Sequence, residues 1–316
     1  MAKVPFQLVR PHPLVRPIPP GPVDVVADVH GESAALDDLL GHLGYDSEGR
    51  HPDGRRLVFV GDLIDRGPDS MGVIDRLGRM MAGGGALAVL GNHEMNLLRG
   101  RRKPENDWYF NASPKTRRRE LGAIISNLPL ALERDDLRVV HASWCDNAIA
   151  LAREVTCPLK LFDEHDKRIE ALLDAEGVRA AVSRELRHQN DNPVKLLTSG
   201  PEKKAKASFQ ANGETFQTTR QTWWDDYNGP FCVVGHYWRA QAPGHPTANH
   251  LFDDSRPHAP LGAGKVMCID YSVGWRFRER LQGGDGFTGP FQLKLAALRV
   301  PEMSLMFDDG TLAPLG

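Results

Sequence analysis

The sequence has few cysteines, no long apolar run and no excess of either charge. Its cysteines, Cys145, Cys157, Cys232 and Cys268, are widely spaced and form no CxxC pair. A chain of 316 residues does not need a disulfide framework, so we expect a reducing, cytoplasmic location. The formal net charge of −2 gives no general attraction to nucleic acid or to a membrane.

The N-terminal segment also lacks the apolar stretch of a signal peptide or membrane span. Prolines and arginines interrupt residues 1–22, which we interpret as an N-terminal arm. Residues 23–316 are predicted to form a single domain. Within it, residues from about 146 to 230 are mostly helical or polar in pattern, and we interpret them as a cap-like insertion.

The sequence does contain a series of short apolar segments that alternate with helical patterns. Segments 23–28, 57–60 and 86–90 predict strands, and polar or turn residues follow each of them. This alternation predicts an α/β fold with stacked layers. Later strands are predicted at 139–140, 231–234, 265–270 and 291–298.

Chemically active side chains directly follow five of these apolar segments. In layered α/β folds, the loops at the carboxyl ends of strands converge on the ligand crevice. Carboxylates, imidazoles and an amide brought together there suit Mn, Fe, Zn or similar ions. Any one of them alone is readily explained as a turn cap or a structural histidine, so the combination is the signal. The residues are Asp28, His30, Asp62, Asp65, Arg66, Asn92, His93, Glu94, His141 and His236.

The motifs DVHG, GDLIDRG and GNHE, followed by two spaced histidines, resemble those of the calcineurin-like metallophosphoesterases. More narrowly, they are similar to the phosphoprotein phosphatase branch. That branch includes the Ser/Thr protein phosphatases and the bacterial symmetrical diadenosine tetraphosphatases. The resemblance covers residues 23–145 and 231–239. It implies a two-sheet α/β/β/α sandwich with two metals at the sheet edge and a metal-activated water that attacks phosphate in line.

The resemblance also implies a ligand set for two divalent ions. Mn²⁺ is the expected metal, with Fe, Zn, Ni, Co and Mg as alternatives. By this carry-over, Asp28 and His30 would hold the first metal, Asp62 would bridge both, and Asn92, His141 and His236 would hold the second. One departure is that Ala and Ser follow His141, where protein phosphatases of this branch have two glycines.

Three further residues are assigned to the reaction by the same resemblance. His93 would protonate the leaving oxygen, Asp65 would orient His93, and Arg66 would grip phosphate oxygens. A structural ion pair with Asp65 or Glu94 is the alternative for Arg66. A second phosphate-binding arginine is also expected. The candidates are Arg184, Arg220 and Arg239, and the predicted substrate contacts are Arg66, Asn92 and Arg239.

The substrate is less clearly indicated than the chemistry. Metal-dependent hydrolysis of phosphoprotein Ser/Thr is the main prediction, and bis(5'-nucleosyl)-tetraphosphate hydrolysis is the alternative. An inactive binding module is the third interpretation, which the intact ligand set opposes. A phosphorylated partner is therefore expected, either a phosphoprotein or a nucleotide polyphosphate.

Two other clusters bear on that choice. The aromatic residues Trp223, Trp224 and Tyr227 could stack on a nucleobase or pack the insertion onto the sheets. The basic run Arg99, Arg101, Arg102 and Lys103 could attract a polyphosphate or a phosphopeptide, or simply face solvent.

Overall fold

The computed structural model describes residues 12–112, 114–211, 214–239, 250–252, 255–284 and 286–316. Its strands are β1 (Val15–Pro17), β2 (Val23–Val26), β3 (Arg56–Phe59), β4 (Ala86–Ala88), β5 (Ala131–Glu133), β6 (Leu137–Val140), β7 (Glu202–Ala211), β8 (Glu214–Arg220), β9 (Phe231–Val234), β10 (Val266–Cys268), β11 (Ala296–Val300), β12 (Ser304–Phe307) and β13 (Leu312–Pro314). Its helices are α1 (Ser33–Leu43), α2 (Ser70–Ala82), α3 (Asn92–Leu98), α4 (Lys115–Ser126), α5 (Asp146–Arg153), α6 (Pro158–Ala175), α7 (Ala181–Asp191), α8 (Pro193–Ser199) and α9 (Arg276–Gly283).

Two mixed sheets form the centre of the molecule, with strand orders β1-β5-β6-β9-β10 and β13-β12-β11-β2-β3-β4. Strands β2, β3 and β4 run parallel in one sheet, and β6, β9 and β10 run parallel in the other. Each sheet therefore presents the carboxyl ends of three neighbouring strands at one edge. The prediction of a two-sheet α/β sandwich is confirmed.

Burial explains why the central strands have continuous apolar runs. Every residue of β2 is buried, and the last three residues of β3 and β9 are buried as well. Parallel strands covered on both faces favour such runs of β-branched and aliphatic residues. Helix α1 instead buries one stripe, formed by Leu36, Leu39, Leu40 and Leu43, at helical spacing. It ends at Gly44, which has a φ of 88°.

The strand predicted at 291–298 begins later than expected, at Ala296 of β11. Side chains, not a neighbouring strand, take the preceding amides. Gln292 N donates to Glu279 Oε1 at 2.7 Å, and Leu295 N donates to Asp308 Oδ1 at 3.1 Å. Apolar character alone could not show that these amides are already used.

The first eleven residues of the predicted N-terminal arm lie outside the described ranges. The described part of the arm contains a strand, β1. Strand β1 pairs in parallel with β5, and Leu14 and Ile18 beside it are 1% and 4% exposed. The apolar residues of this segment thus join the core of the five-stranded sheet. The division into an arm and one domain stays a prediction.

Residues 146–230 lie between β6 and β9, two strands that pair directly with each other. They comprise α5 to α8 and the antiparallel hairpin of β7 and β8. Helix α8 contacts α5, α6 and α7, and it also contacts α3 of the sandwich. The segment therefore covers the region where α3 begins.

Within the described ranges, no helix is both long enough and apolar enough to cross a lipid bilayer. Cys145, Cys157, Cys232 and Cys268 are free thiols. Cys232 and Cys268 are fully buried in β9 and β10. Both therefore serve as small apolar residues of the core.

A buried ion pair fixes the start of β2 and generates a stability prediction. The Asp24 carboxylate, 0% exposed, accepts hydrogen bonds from Arg55 Nε and Nη2, each at 2.7 Å. We expect Arg55→Ala to lower the free energy of unfolding by about 3 kcal/mol, because it leaves a buried carboxylate without its main partner. Denaturant unfolding followed by circular dichroism measures this change.

The matched control is Arg50→Ala, which removes an exposed pair with Asp46 four residues away. We expect this control to leave the unfolding midpoint essentially unchanged, since exposed pairs contribute little. Equal losses in the two variants would show that burial adds nothing to the Asp24–Arg55 pair.

Candidate metal centre

The candidate site lies where the parallel strands of both sheets end in an unusual backbone conformation. His30, Asp62 and His236 follow β2, β3 and β9 with φ values of 49°, 46° and 69°. Residues other than glycine rarely adopt positive φ, and they do so where the surrounding structure enforces it. These sharp turns bring the three side chains into one cluster.

The Asp62 carboxylate lies at the centre of this cluster. Its Oδ2 is 3.3 Å from His141 Nε2 and 3.7 Å from His30 Nε2. On the far side, Asn92 Oδ1 lies 3.2 Å from His141 Nε2 and 2.9 Å from His236 Nδ1. The structure therefore brings together donor atoms from five separate segments, and all four ionisable residues among them are at most 7% exposed.

Two of the histidines are oriented by backbone carbonyls. His141 Nδ1 lies 2.8 Å from the oxygen of Val60, and His30 Nδ1 lies 3.0 Å from the oxygen of Ile64. A proton on each Nδ1 would leave the Nε2 lone pairs directed toward Asp62. This outer hydrogen bond is the usual companion of a metal-binding imidazole.

Asp28 supplies the clearest sign that cations belong here. Its Oδ2 accepts from His236 N at 3.0 Å, but its buried Oδ1 has no hydrogen-bond partner among the described residues. A Cβ atom on Gly235 would lie 1.8 Å from that Oδ1, so only glycine fits beside it. Burial and the Asp270 carboxylate raise the pKa of Asp28 well above its usual value. A divalent cation would satisfy the unpartnered oxygen and offset this repulsion.

The charges around Asp62 lower the pKa of its carboxylate, whereas those around Asp28 raise it. Burial tends to raise the pKa of Asp62, but the His141 and His93 imidazoles outweigh burial and lower that pKa well below its usual value. Burial likewise tends to lower the pKa of His141, yet Asp62 raises it to about 10. The cluster is thus organised around an ionised Asp62. The residues present fit a site for two divalent cations.

The Nδ1 atom of His93 faces Asp65 and not the proposed metal ligands. It lies 2.7 Å from Asp65 Oδ2. The other oxygen of Asp65 accepts from Trp108 Nε1 at 2.8 Å. Burial tends to lower the pKa of His93, but Asp62 and the bond to Asp65 outweigh it, so the net shift is upward. Trp108 was not singled out by the sequence, where only an aromatic DWYF stretch marks its position.

Arg66 faces the cluster, as predicted for a phosphate contact. Its Nη1 and Nη2 lie 3.2 Å from His30 Nε2 and 3.4 Å from His93 Nε2. The guanidinium carbon lies 5.5 Å and 5.6 Å from the ring centroids of Trp238 and Trp275. These rings orient a cation without neutralising it.

The alternative structural ion pair of Arg66 with Asp65 or Glu94 does not occur among the described contacts. Glu94 instead accepts hydrogen bonds from backbone amides. The amides of Gly91 and Asp62 reach its Oε2 at 2.9 Å and 3.0 Å. Glu94 therefore holds the loop after β3 against the start of α3.

The structure does not bring Arg239 to the cluster, contrary to the predicted substrate contact. Arg239 is 2% exposed, and its Nη2 donates to the carbonyl oxygens of Arg256 and Ala259 at 2.9 Å and 2.8 Å. Arg184 forms an ion pair with Asp174 at 3.1 Å in the insertion. Of the three candidates, only Arg220 lies beside a predicted ligand.

The position of Arg220 is set by two kinds of contact. Its Nη1 donates to the carbonyl oxygen of His236 at 3.1 Å. Its guanidinium carbon lies 5.2 Å from the ring centroids of both Tyr237 and Trp238. Trp238 therefore lies near both Arg220 and Arg66.

The aromatic residues of the insertion are mainly packing residues. Trp224 and Tyr227 are 3% and 8% exposed. The Trp224 ring stacks on Phe252, at 6.1 Å between centroids, and meets Tyr237 edge-on. Of the two interpretations, packing of the insertion onto the sheets is therefore the one that the structure supports.

The fold and the donor set together define a metallophosphoesterase. The chain belongs to the calcineurin-like phosphoesterase family, whose model matches residues 21–237. The description of that family is calcineurin-like phosphoesterase. The family and the His/Asp clusters both indicate a site for two metals.

Curated proteins with similar sequences include two kinds of bis(5'-nucleosyl)-tetraphosphatase. The chain is 46% identical over 79 residues to the asymmetrical bis(5'-nucleosyl)-tetraphosphatase PrpE of Halalkalibacterium halodurans, covering 24% of this chain and 32% of that protein. It is 35% identical over 144 residues to the symmetrical bis(5'-nucleosyl)-tetraphosphatase of a Janthinobacterium species, covering 43% and 50%. The matches thus span half or less of these curated relatives.

Solved structures show the fold over nearly the whole chain. The cold-active protein-tyrosine phosphatase of a psychrophilic Shewanella species superimposes with a TM-score of 0.54. That match covers 96% of this chain and 83% of the other, at 19% sequence identity. At this level of identity the likeness establishes architecture, not substrate.

The bond from Trp108 to Asp65 generates the first site prediction. We expect Trp108→Phe to lower kcat about tenfold with little change in KM. Asp65 would lose its hydrogen bond from Trp108 and would then orient His93 less well. The loss should be larger for phenyl phosphate than for para-nitrophenyl phosphate, whose leaving oxygen needs less protonation. Steady-state rates on both esters measure this difference.

Trp144→Phe is the matched control, since Trp144 Nε1 donates to Asp146 at 2.9 Å, another tryptophan–aspartate bond. We expect that variant to retain the wild-type ratio of the two rates. If Trp108→Phe slows both esters equally, Trp108 acts on packing and not through His93.

Proposed function

We propose that the protein is a dimetal hydrolase of bis(5'-nucleosyl) tetraphosphates, the alternative and not the main prediction from the sequence. The observation that carries the chemistry is the buried donor set around Asp62, with the unpartnered Asp28 oxygen beside it. The substrate class is supported by the curated relatives, which bear the tetraphosphatase name in both symmetrical and asymmetrical forms. Protein phosphatases support the proposal only as relatives in fold.

The proposed ligand assignment uses the residues that the fold brings together. Asp28, His30 and Asp62 would hold one ion, and Asp62, Asn92, His141 and His236 would hold the other. When bound, two divalent ions would acidify a water molecule and neutralise phosphate charge. We propose Mn²⁺ as the metal and the cytoplasm as the location.

The remaining residues would act on the substrate itself. Arg66 and Arg220 would hold the oxygens of the attacked phosphate, where a guanidinium fork is well suited. As the attacking water oxygen bonds to phosphorus, the water loses a proton to solvent. The bridging P–O bond breaks, and its electron pair passes to the leaving phosphate. His93 would give its proton to that leaving oxygen, with Asp65 and Trp108 keeping the imidazole oriented.

A substrate panel tests the proposal directly. We expect kcat/KM for diadenosine tetraphosphate to exceed that for a phosphoserine peptide by about 100-fold or more in the presence of Mn²⁺. Chromatography of the nucleotide products would then show whether ADP alone or ATP with AMP is formed. The reverse preference would establish the protein phosphatase interpretation.

Removal of the metal-bridging charge is a separate test. We expect Asp62→Asn to reduce kcat/KM about 10³-fold, because the charge that holds both ions is lost. Elemental analysis of the purified variant should show a matching loss of bound metal. Asp69→Asn is the control, since Asp69 is an exposed helix cap for which asparagine substitutes well.

Chelation of the wild-type protein should abolish turnover, and added Mn²⁺ should restore it. Undiminished turnover in the chelated protein, or in Asp62→Asn with full metal content, would contradict the assignment. Loss of activity in the Asp69→Asn control would point instead to a folding defect in this loop.

A further inference from the structure

A cleft of about 410 Å³ opens beside Asn92, at the start of α3. Its walls come from α3 and the segment after it on one side, and from α6, α7 and α8 of the insertion on the other. Clefts of this size are typical of small-molecule sites. The cleft therefore begins at a residue of the metal centre and extends away from it under the insertion.

Basic side chains dominate the charge of the cleft. Arg99, Arg101, Lys103 and Lys195 line it, against two carboxylates, Glu185 and Glu202. The excess of positive charge matches a ligand that carries several negative charges.

Three of these cations have no carboxylate within ion-pair distance among the residues that the structure describes. In the described part of the chain, Arg99, Arg101 and Lys195 form no ion pair, whereas Lys103 lies 3.7 Å from Glu105. On the insertion itself, Arg187 pairs with both Glu176 and Asp191, at 3.0 Å and 2.6 Å. Arg187 is therefore paired with carboxylates, whereas the three cations of the cleft are open to an anionic ligand.

Packing against an aromatic ring positions one of the cations of the cleft. The Arg99 guanidinium carbon lies 3.7 Å from the ring centroid of the buried Phe162. Burial lowers the pKa of Lys195. Asp166 opposes that effect, Arg99 and Arg101 add to it, and Glu202 opposes it. Lys195 thus lies near two other cations, and a bound polyanion would relieve the repulsion between them.

We propose that this cleft binds the phosphate groups that extend beyond the attacked phosphate of a nucleoside polyphosphate. The cleft shares Asn92 with the metal centre, so a chain that lies in it is continuous with a phosphate held at the metals. This inference rests on the proposed function. A phosphomonoester has no such extension and makes no use of the cleft.

The test compares two substrates in each variant. The measured quantity is the ratio of kcat/KM for diadenosine tetraphosphate to that for para-nitrophenyl phosphate. We expect the double variant Arg101→Ala/Lys195→Ala to lower this ratio at least about tenfold, since each charge-assisted contact contributes substantially to binding. The change should come from KM for the tetraphosphate, and it should shrink as salt is added.

Two further variants separate charge from packing. Lys167→Ala removes a charge from an exposed position of α6 that does not line the cleft, and we expect it to leave both rates unchanged. The exchange Arg101→Lys/Lys195→Arg keeps both charges, and we expect it to retain most of the wild-type ratio. Thermal melting of each variant identifies any that are misfolded.

The outcomes distinguish this inference from the function on which it rests. A wild-type protein inactive on diadenosine tetraphosphate but active on the monoester would overturn the proposed function, and the cleft's role with it. A wild-type protein active on both, with a ratio unmoved in the alanine double variant, would overturn the cleft alone. Equal losses of kcat/KM on both substrates in the alanine double variant would also overturn it.

Discussion

The architecture of the site depends on where the Asp62 carboxylate is held. Its backbone is in the left-handed region after β3, and its amide donates to Glu94 Oε2 at 3.0 Å. Its Oδ1 accepts from His93 N at 3.0 Å, which leaves Oδ2 facing the imidazoles of His30 and His141. Because Glu94 also accepts from Gly91 N, the loop after β3 and the start of α3 form one rigid unit. Backbone hydrogen bonds therefore hold Asp62, the central residue of the proposed ligand set, in position.

Much of this could be predicted from the sequence because the governing rules are local or general. Apolar segments identify the parallel strands, and parallel strands place their carboxyl ends at one edge. Asp62 and His236 lie 174 positions apart in the chain, yet each could be identified from its own flanking apolar segment. Two-sheet architecture followed from the resemblance and is present.

What the sequence could not supply are contacts decided by side-chain direction and long-range packing. Arg239 is three positions after His236, yet its guanidinium turns into the interior toward Arg256. Arg220 is sixteen positions before His236 and nevertheless reaches its carbonyl. The Trp108–Asp65 bond spans 43 positions, and nothing in the pattern of either segment links them. Nearness along the chain favoured the wrong arginine.

The insertion is separate from the sheet that carries two of the proposed ligands, yet it contacts the helix that carries a third. Strands β6 and β9 pair directly, so the segment between them can differ in structure without breaking the sheet that carries His141 and His236. Its helix α8 nevertheless contacts α3, which begins with Asn92 and His93. A ligand held by the insertion is thus positioned against the same helix that carries a proposed metal ligand and the proposed proton donor. Through this shared helix, the insertion and the proposed metal centre are in direct structural contact.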